Sequence, residues 1–182
     1  GIDNSTFLSY RNYSITVPKI LIFNNNNIFK GENIFCDVLE KIVHPFELIV
    51  VGRAIEISNI NLSKTTHIKP IKCRTELAKL YNNSTILLFP SKADNLPLVP
   101  MEAMACGVCV FASAVGGIPE IIEHSKTGLL FNTPIELINQ LNYYLLHPEE
   151  INIISKNAAE LIIEKFSQEK MVFEYQKLYL SL

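Results

Sequence analysis

The sequence predicts an α/β fold: a doubly wound parallel sheet of six strands with helices on both faces. Two observations carry this. From Lys19 onward, short β-rich apolar runs alternate with helix-period segments, the order in which β-α units build a parallel sheet. Several of those runs, FELIVV, TILLF and VCVFA, are almost continuously apolar, broken only by Glu47 and Thr85 near their starts, as befits strands covered on both faces.

Strands are expected at 19–24, 46–51, 66–69, 85–89, 108–112 and 128–131, with helices at 32–43, 75–81, 98–106 and 119–124 between them. Only helices follow the last strand. The segments 134–146, 149–165 and 167–180 are amphipathic, and Ser167 is placed to cap the third. There is no internal repeat and no linker long enough to divide the chain. Asn24 to Asn27, the one low-complexity feature, reads first as a loop after a strand.

Bulk composition narrows the function. A chain of 182 residues, 48% apolar and 19% charged, has the balance of a globular protein with one core. A net charge of -2 gives no electrostatic footprint for nucleic acid or an anionic membrane. The longest apolar stretches, at 86–89 and 108–112, fall far short of the roughly 20 residues that span a bilayer. The opening GIDNSTFLSYRNY has neither the basic nor the apolar region of a secretory signal. Four cysteines in a chain of this size fit free thiols in a reducing, cytoplasmic setting. Cys106 and Cys109 form a C-x-x-C, but no second pair of ligands is spaced to complete a zinc site, so they read as small core residues at a helix end and a strand start.

In a doubly wound sheet, ligands sit at the carboxyl ends of the strands, which directs attention to the segments after Phe23, Val51, Phe89 and Ala112. The most informative is PSKADNLPLVPMEAMACG. Its polar loop holds Asp94 and Asn95, and its helix is apolar or small at nearly every position, which marks a buried helix. Glu102 stands in the middle of it. A carboxylate in such a place either reaches solvent from a half-buried helix or is satisfied by a partner, and a ribose diol can donate to both its oxygens. The start of this helix, at Leu98 and Val99, offers free backbone N–H groups to an anion such as a diphosphate, with Pro97 and Pro100 stiffening the turn. A second anion-friendly turn, Gly116-Gly117 in SAVGGIPEIIE, precedes another helix. By itself it is also an ordinary tight turn, and there is no G-x-G-x-x-G to indicate a dinucleotide.

Together these motifs resemble glycosyltransferase family four of the GT-B fold. An acidic residue, seven intervening positions, a Glu before AMACG, then VGGIPEII and KTGLLF occur here as Asp94, Glu102 and the segments after them, in that order and spacing. Gly1-Ile2-Asp3 resembles the family's interdomain segment, so that residues 1–18 correspond to that segment and 19–182 to the Rossmann-like donor-binding domain, with its C-terminal helices from about 134. Phe29-Lys30-Gly31 also matches.

The resemblance implies the C-terminal half of a retaining enzyme that transfers a sugar from a UDP-, GDP- or ADP-sugar to a glycan or lipid-linked acceptor, as in polysaccharide biosynthesis. It implies no cofactor and no metal. The aspartates Asp3, Asp37 and Asp94 form no D-x-D that could hold a metal on the diphosphate. Carried over by position, Glu102 holds the donor ribose, Asp94 faces the donor sugar, Lys30 contacts the diphosphate, and Asn95, Leu96, Leu98 and Val99 line the donor side. The Gly116-Gly117 turn closes the pocket, and Ile71 and Lys72 flank the base. Asp94, Glu102 and Lys30 would carry the transfer.

There are two departures from the family pattern. The first acidic position is Asp where Glu is more frequent, and Asn24 or Asn25 replaces the usual arginine, removing one phosphate-binding charge. The histidines His44, His67, His124 and His147 lie outside the motifs and read as surface or capping residues. The acceptor-binding N-terminal domain is the expected partner, and without it the chain should catalyse nothing. Any association with the inner face of a membrane would come through that half. A non-catalytic nucleotide-sugar-binding module and a GT-B nucleotide-sugar epimerase are the alternative functions.

Overall fold

The computed structural model describes residues 1–10, 17–25, 27, 30–31 and 34–181. Phe29, Asn26 and the expected helix start at 32–33 lie outside these. The strands are β1 (Lys19–Asn24), β2 (Phe46–Gly52), β3 (Leu62–Ile68), β4 (Ile86–Phe89), β5 (Cys109–Ser113) and β6 (Leu129–Phe131). The helices are α1 (Phe35–Leu39), α2 (Arg74–Asn82), α3 (Leu98–Ala105), α4 (Ile118–Ile121), α5 (Pro134–Leu146), α6 (Pro148–Lys165) and α7 (Gln168–Leu180). The strands form one six-stranded sheet in the order β3-β2-β1-β4-β5-β6, every pair parallel.

The side-chain period of two along each strand divides the core into two layers. Leu21, Leu87, Val110 and Ala112 face a cluster built with α2, α3, α4 and the second half of α6. Ile20, Ile22, Ile86, Leu88 and Phe111 face the other layer, with α1, α5 and the start of α6. The chain therefore folds as the doubly wound sheet that its almost continuously apolar strands require.

Three elements differ from the expected bounds by three residues or more, one of them α4, which ends at Ile121 rather than 124 because the backbone is already extended at Ile122. Strand β3 begins at Leu62 rather than 66, because LSKTTHI is a half-exposed edge strand whose polar residues carry little strand signal. Helix α1 ends at Leu39, and the chain continues to Ile42 through tighter bonds from Lys41 to Val38 and from Ile42 to Leu39. The predicted cap is present: the Ser167 hydroxyl accepts from the Lys170 amide. However, α7 buries none of its residues, and Phe173, Tyr175, Leu178 and Tyr179 are each at least half exposed.

The N-terminal segment is held to the domain. Ile2 bridges Ser167 and is buried, as is Phe7. The Asp3 carboxylate accepts from the Ser5 and Thr6 hydroxyls, which hold its pKa down at about 2. No helix among the described residues is long and apolar enough to cross a membrane.

Candidate functional site

The carboxyl ends of β1 and β4 open onto a cleft of about 360 Å³. Here the strand order reverses, with β1 leading on to β2 on one side and β4 to β5 on the other, the usual place for a ligand in such folds. It is lined by Phe23, Leu88 and Phe89 of the strand ends, by Asn25 and Lys30 after β1, and by Asp94, Leu96, Leu98 and Val99 after β4.

Glycine delivers Lys30 to this cleft. Gly31 has φ +68°, and a Cβ there would stand 1.7 Å from the Pro90 carbonyl oxygen, so the loop after β1 packs directly on the loop after β4. As a result the Lys30 ammonium lies 2.5 Å from Asp94 Oδ2 and 5.4 Å from the centre of the Phe89 ring. The structure thus brings together the two charged residues assigned to the diphosphate and the sugar, although 64 residues separate them in sequence.

Gly116 and Gly117 position the same loop. Their added Cβ atoms would stand 1.9 Å from the Asp94 carbonyl oxygen and 1.6 Å from that of Asn95, and the Gly117 amide donates to Asp94 at 3.1 Å. Both glycines lie outside the cleft lining, and α4, which follows them, has only four residues. What the structure shows them doing is packing the acidic loop, where the sequence pointed to close approach of a ligand. The Ser113 hydroxyl at the end of β5 also holds that loop, donating to the Ser91 carbonyl.

Helix α3 starts at the cleft. Its N-cap is Pro97, among the described residues no side chain caps it, and its first two residues, Leu98 and Val99, line the cleft. Glu102 stands one helical turn beyond Leu98, half-buried and outside the cleft lining. Burial pushes its pKa above the usual carboxylate range, opposed by a hydrogen bond from Tyr81 and the charge of Arg74. The Tyr81 hydroxyl donates to Glu102 Oε2 at 3.3 Å. Sequence reasoning missed this partner. The available signal was a tyrosine on the inward face of α2, where a phenylalanine would pack as well and leave no hydroxyl to satisfy.

Ile71 and Lys72 precede α2 and lie outside the cleft lining, Ile71 packed against the core and Lys72 exposed. Asn95 is exposed on the loop. Asn24 is buried and structural: its side chain donates to the Arg53 carbonyl at 2.8 Å, and the Arg53 amide returns a bond to Asn24 at 2.6 Å. Cys106 ends α3 and Cys109 opens β5, both buried, and burial, with Glu102 beside it, pushes the Cys106 thiol up to about 12.

Residues 18–161 match the model of the family described as glycosyl transferases group 1. The chain is 31% identical over 181 residues to N-acetyl-alpha-D-glucosaminyl L-malate synthase of Bacillus anthracis, covering 93% of this chain and 47% of that protein. The chain thus spans about half the length of this curated relative. Its fold is that of the C-terminal domain of a glycosyl transferase group 1 family protein from Francisella tularensis, with TM-score 0.71, 19% identity, and coverage of 92% of this chain and all of that one. An Anabaena protein, HepE, solved in complex with UDP-glucose, superposes with TM-score 0.82 at 19% identity, over all of this chain and 56% of that one. With the family model matching most of its length and a six-stranded parallel sheet like that of its GT-B structural neighbours, the chain belongs to the glycosyl transferases group 1 family.

Proposed function

We propose that this chain is the donor-binding half of a retaining glycosyltransferase of family four, taking a nucleoside diphosphate sugar in the cleft between Lys30 and the start of α3. The observation that carries this reading is the convergence of Lys30 and Asp94, a cation and a carboxylate from distant loops, at the mouth of an uncapped helix. The diphosphate lies between the Lys30 ammonium and the first amides of α3, where a fixed charge and an aligned backbone dipole both meet negative charge. Glu102 accepts the ribose hydroxyls, and Asp94 faces the sugar. The base lies toward Ile71 and Lys72.

In the transfer, the bond from the anomeric carbon to the diphosphate oxygen breaks. An acceptor hydroxyl adds on the same face and gives its proton to the departing phosphate. The chain's work is electrostatic: Lys30 and the helix start stabilise charge as it builds on the leaving group. Asp94 orients the sugar and stabilises positive charge, without forming a covalent bond. No metal is required.

The acceptor binds to a second domain, which the greater length of the curated relative allows for. Titrating the isotope-labelled chain with UDP, GDP and ADP tests the site by NMR. Amide shifts should concentrate at residues 30, 94–96, 98–99 and 102, and shifts confined to other faces would contradict the assignment.

A further inference from the structure

Glu102 has one hydrogen-bonding partner for its carboxylate among the described residues, and that partner is held with unusual firmness. Tyr81 is wholly buried. Its ring meets Phe7 of the N-terminal segment and Phe23 of β1, each with centroids 6.2 Å apart, at interplanar angles of 53° and 61°. Phe7 is covered in turn by the Arg74 guanidinium, 5.2 Å from its centroid, and Arg74 lies 3.8 Å from the Asp3 carboxylate. The ring is therefore fixed by contacts from two other parts of the chain, and its hydroxyl has Oε2 of Glu102 as its acceptor.

We propose that Tyr81 is a positioning residue for nucleotide recognition: by donating to Oε2, it fixes the Glu102 carboxylate in the orientation in which its remaining lone pairs accept the ribose hydroxyls. This rests on the reading of Glu102 as the ribose-holding group. A carboxylate offers about four acceptor sites, so one bond from Tyr81 leaves enough for a diol. It also removes the rotation that a lone glutamate would lose on binding.

The electrostatics agree. Burial disfavours the Glu102 anion, and the Tyr81 hydroxyl is the larger of two opposing influences, ahead of the Arg74 charge. Burial and the facing carboxylate both hold the proton on Tyr81, so it remains a donor. The buried Cys106 thiol at the end of the same helix also feels the Glu102 charge and stays protonated. From α6, β4 and β5 this core layer receives the apolar Ala158, Ile162, Leu87 and Val110.

The test is UDP calorimetry on the parent chain, Tyr81→Phe, Glu102→Gln and the double variant, from mildly acid to neutral pH. Phenylalanine keeps the ring and removes only the donor. Tyr81→Phe should bind UDP roughly three- to tenfold more weakly at neutral pH. Its affinity should also fall off at higher pH than the parent's as the solution is acidified, because Glu102 takes up its proton sooner. The ligand's own titration is common to all four proteins and cancels in the ratio. In the Glu102→Gln background, the same substitution should add little further loss.

Parent-like affinity and pH profile in Tyr81→Phe, with Glu102→Gln weakened, would overturn this proposal alone. An equal loss in both backgrounds would also overturn it, since the hydroxyl would then act on the fold rather than through Glu102. Normal UDP binding by Glu102→Gln would overturn the ribose reading, and this proposal with it.

Discussion

The Lys30 ammonium and the Asp94 carboxylate form an ion pair at 2.5 Å across the mouth of the cleft, with side chains 42% and 17% exposed. A diphosphate arriving there must draw Lys30 away from Asp94 or share it. The pair is partly solvated, so its worth is at most about 1 kcal/mol. Asp94→Asn should therefore leave stability nearly unchanged and raise UDP affinity by up to roughly fivefold. It should also reduce any preference for UDP-sugar over UDP, since Asp94 is assigned to the sugar. Parallel calorimetry with the two ligands would show this, and weaker UDP binding by the variant would contradict it.

Lys30→Ala should separate phosphate from nucleoside. A charge-assisted bond contributes about 1.5 to 3 kcal/mol, and breaking the Asp94 pair offsets part of it, so UDP affinity should fall roughly tenfold. Uridine lacks the phosphates and should bind as before. Equal losses for both ligands would make Lys30 a structural residue.

Gly117→Ala tests the packing role of the glycine turn. Gly117 has φ -86°, which alanine adopts freely, so the cost comes from the Cβ meeting the Asn95 carbonyl oxygen at 1.6 Å. Overpacking of this kind costs about 1 to 3 kcal/mol. A lower melting temperature, together with displaced amide resonances at 94–95, is the expected result. A parent-like melt with lost nucleotide binding would instead return the turn to the ligand.

Much of this was legible in the sequence because the informative features were local. The interior strands read correctly since burial on both faces leaves continuous apolar runs, as in LIVV of β2 and ILLF of β4. The edge strand β3 was half missed because it is paired on one side and exposed for much of its length. Within the candidate site, Asp94, Leu98 and the proposed ribose-holding Glu102 lie on one loop and helix, so spacing alone grouped them. Tyr81 lies on another helix, 21 residues from Glu102, and no local period connects a hydroxyl to a carboxylate across a helix pair. The role of Asn24 was hidden for the same reason, since its partner Arg53 follows the next strand.

Glu102→Gln should move binding and stability in opposite directions. Losing charge-assisted bonds to ribose weakens UDP binding by roughly 10- to 150-fold. The folded chain holds the Glu102 proton more tightly than the unfolded chain does, because burial raises its pKa. Unfolding therefore releases a proton in the range above the ordinary carboxylate value, and stability due to this group falls as pH rises through that range. The glutamine variant lacks this component, so near neutrality it should melt no lower than the parent, and its stability should depend less on pH. A variant that melts well below the parent yet binds UDP normally would make Glu102 a support of the fold.

The central claim is that the cleft between Lys30 and α3 holds a nucleoside diphosphate, and isothermal titration of the chain with UDP, GDP and ADP measures it directly. The account predicts saturable one-to-one binding of at least one of the three, weakened by Lys30→Ala and by Glu102→Gln. Absence of binding by all three at millimolar concentration would contradict it.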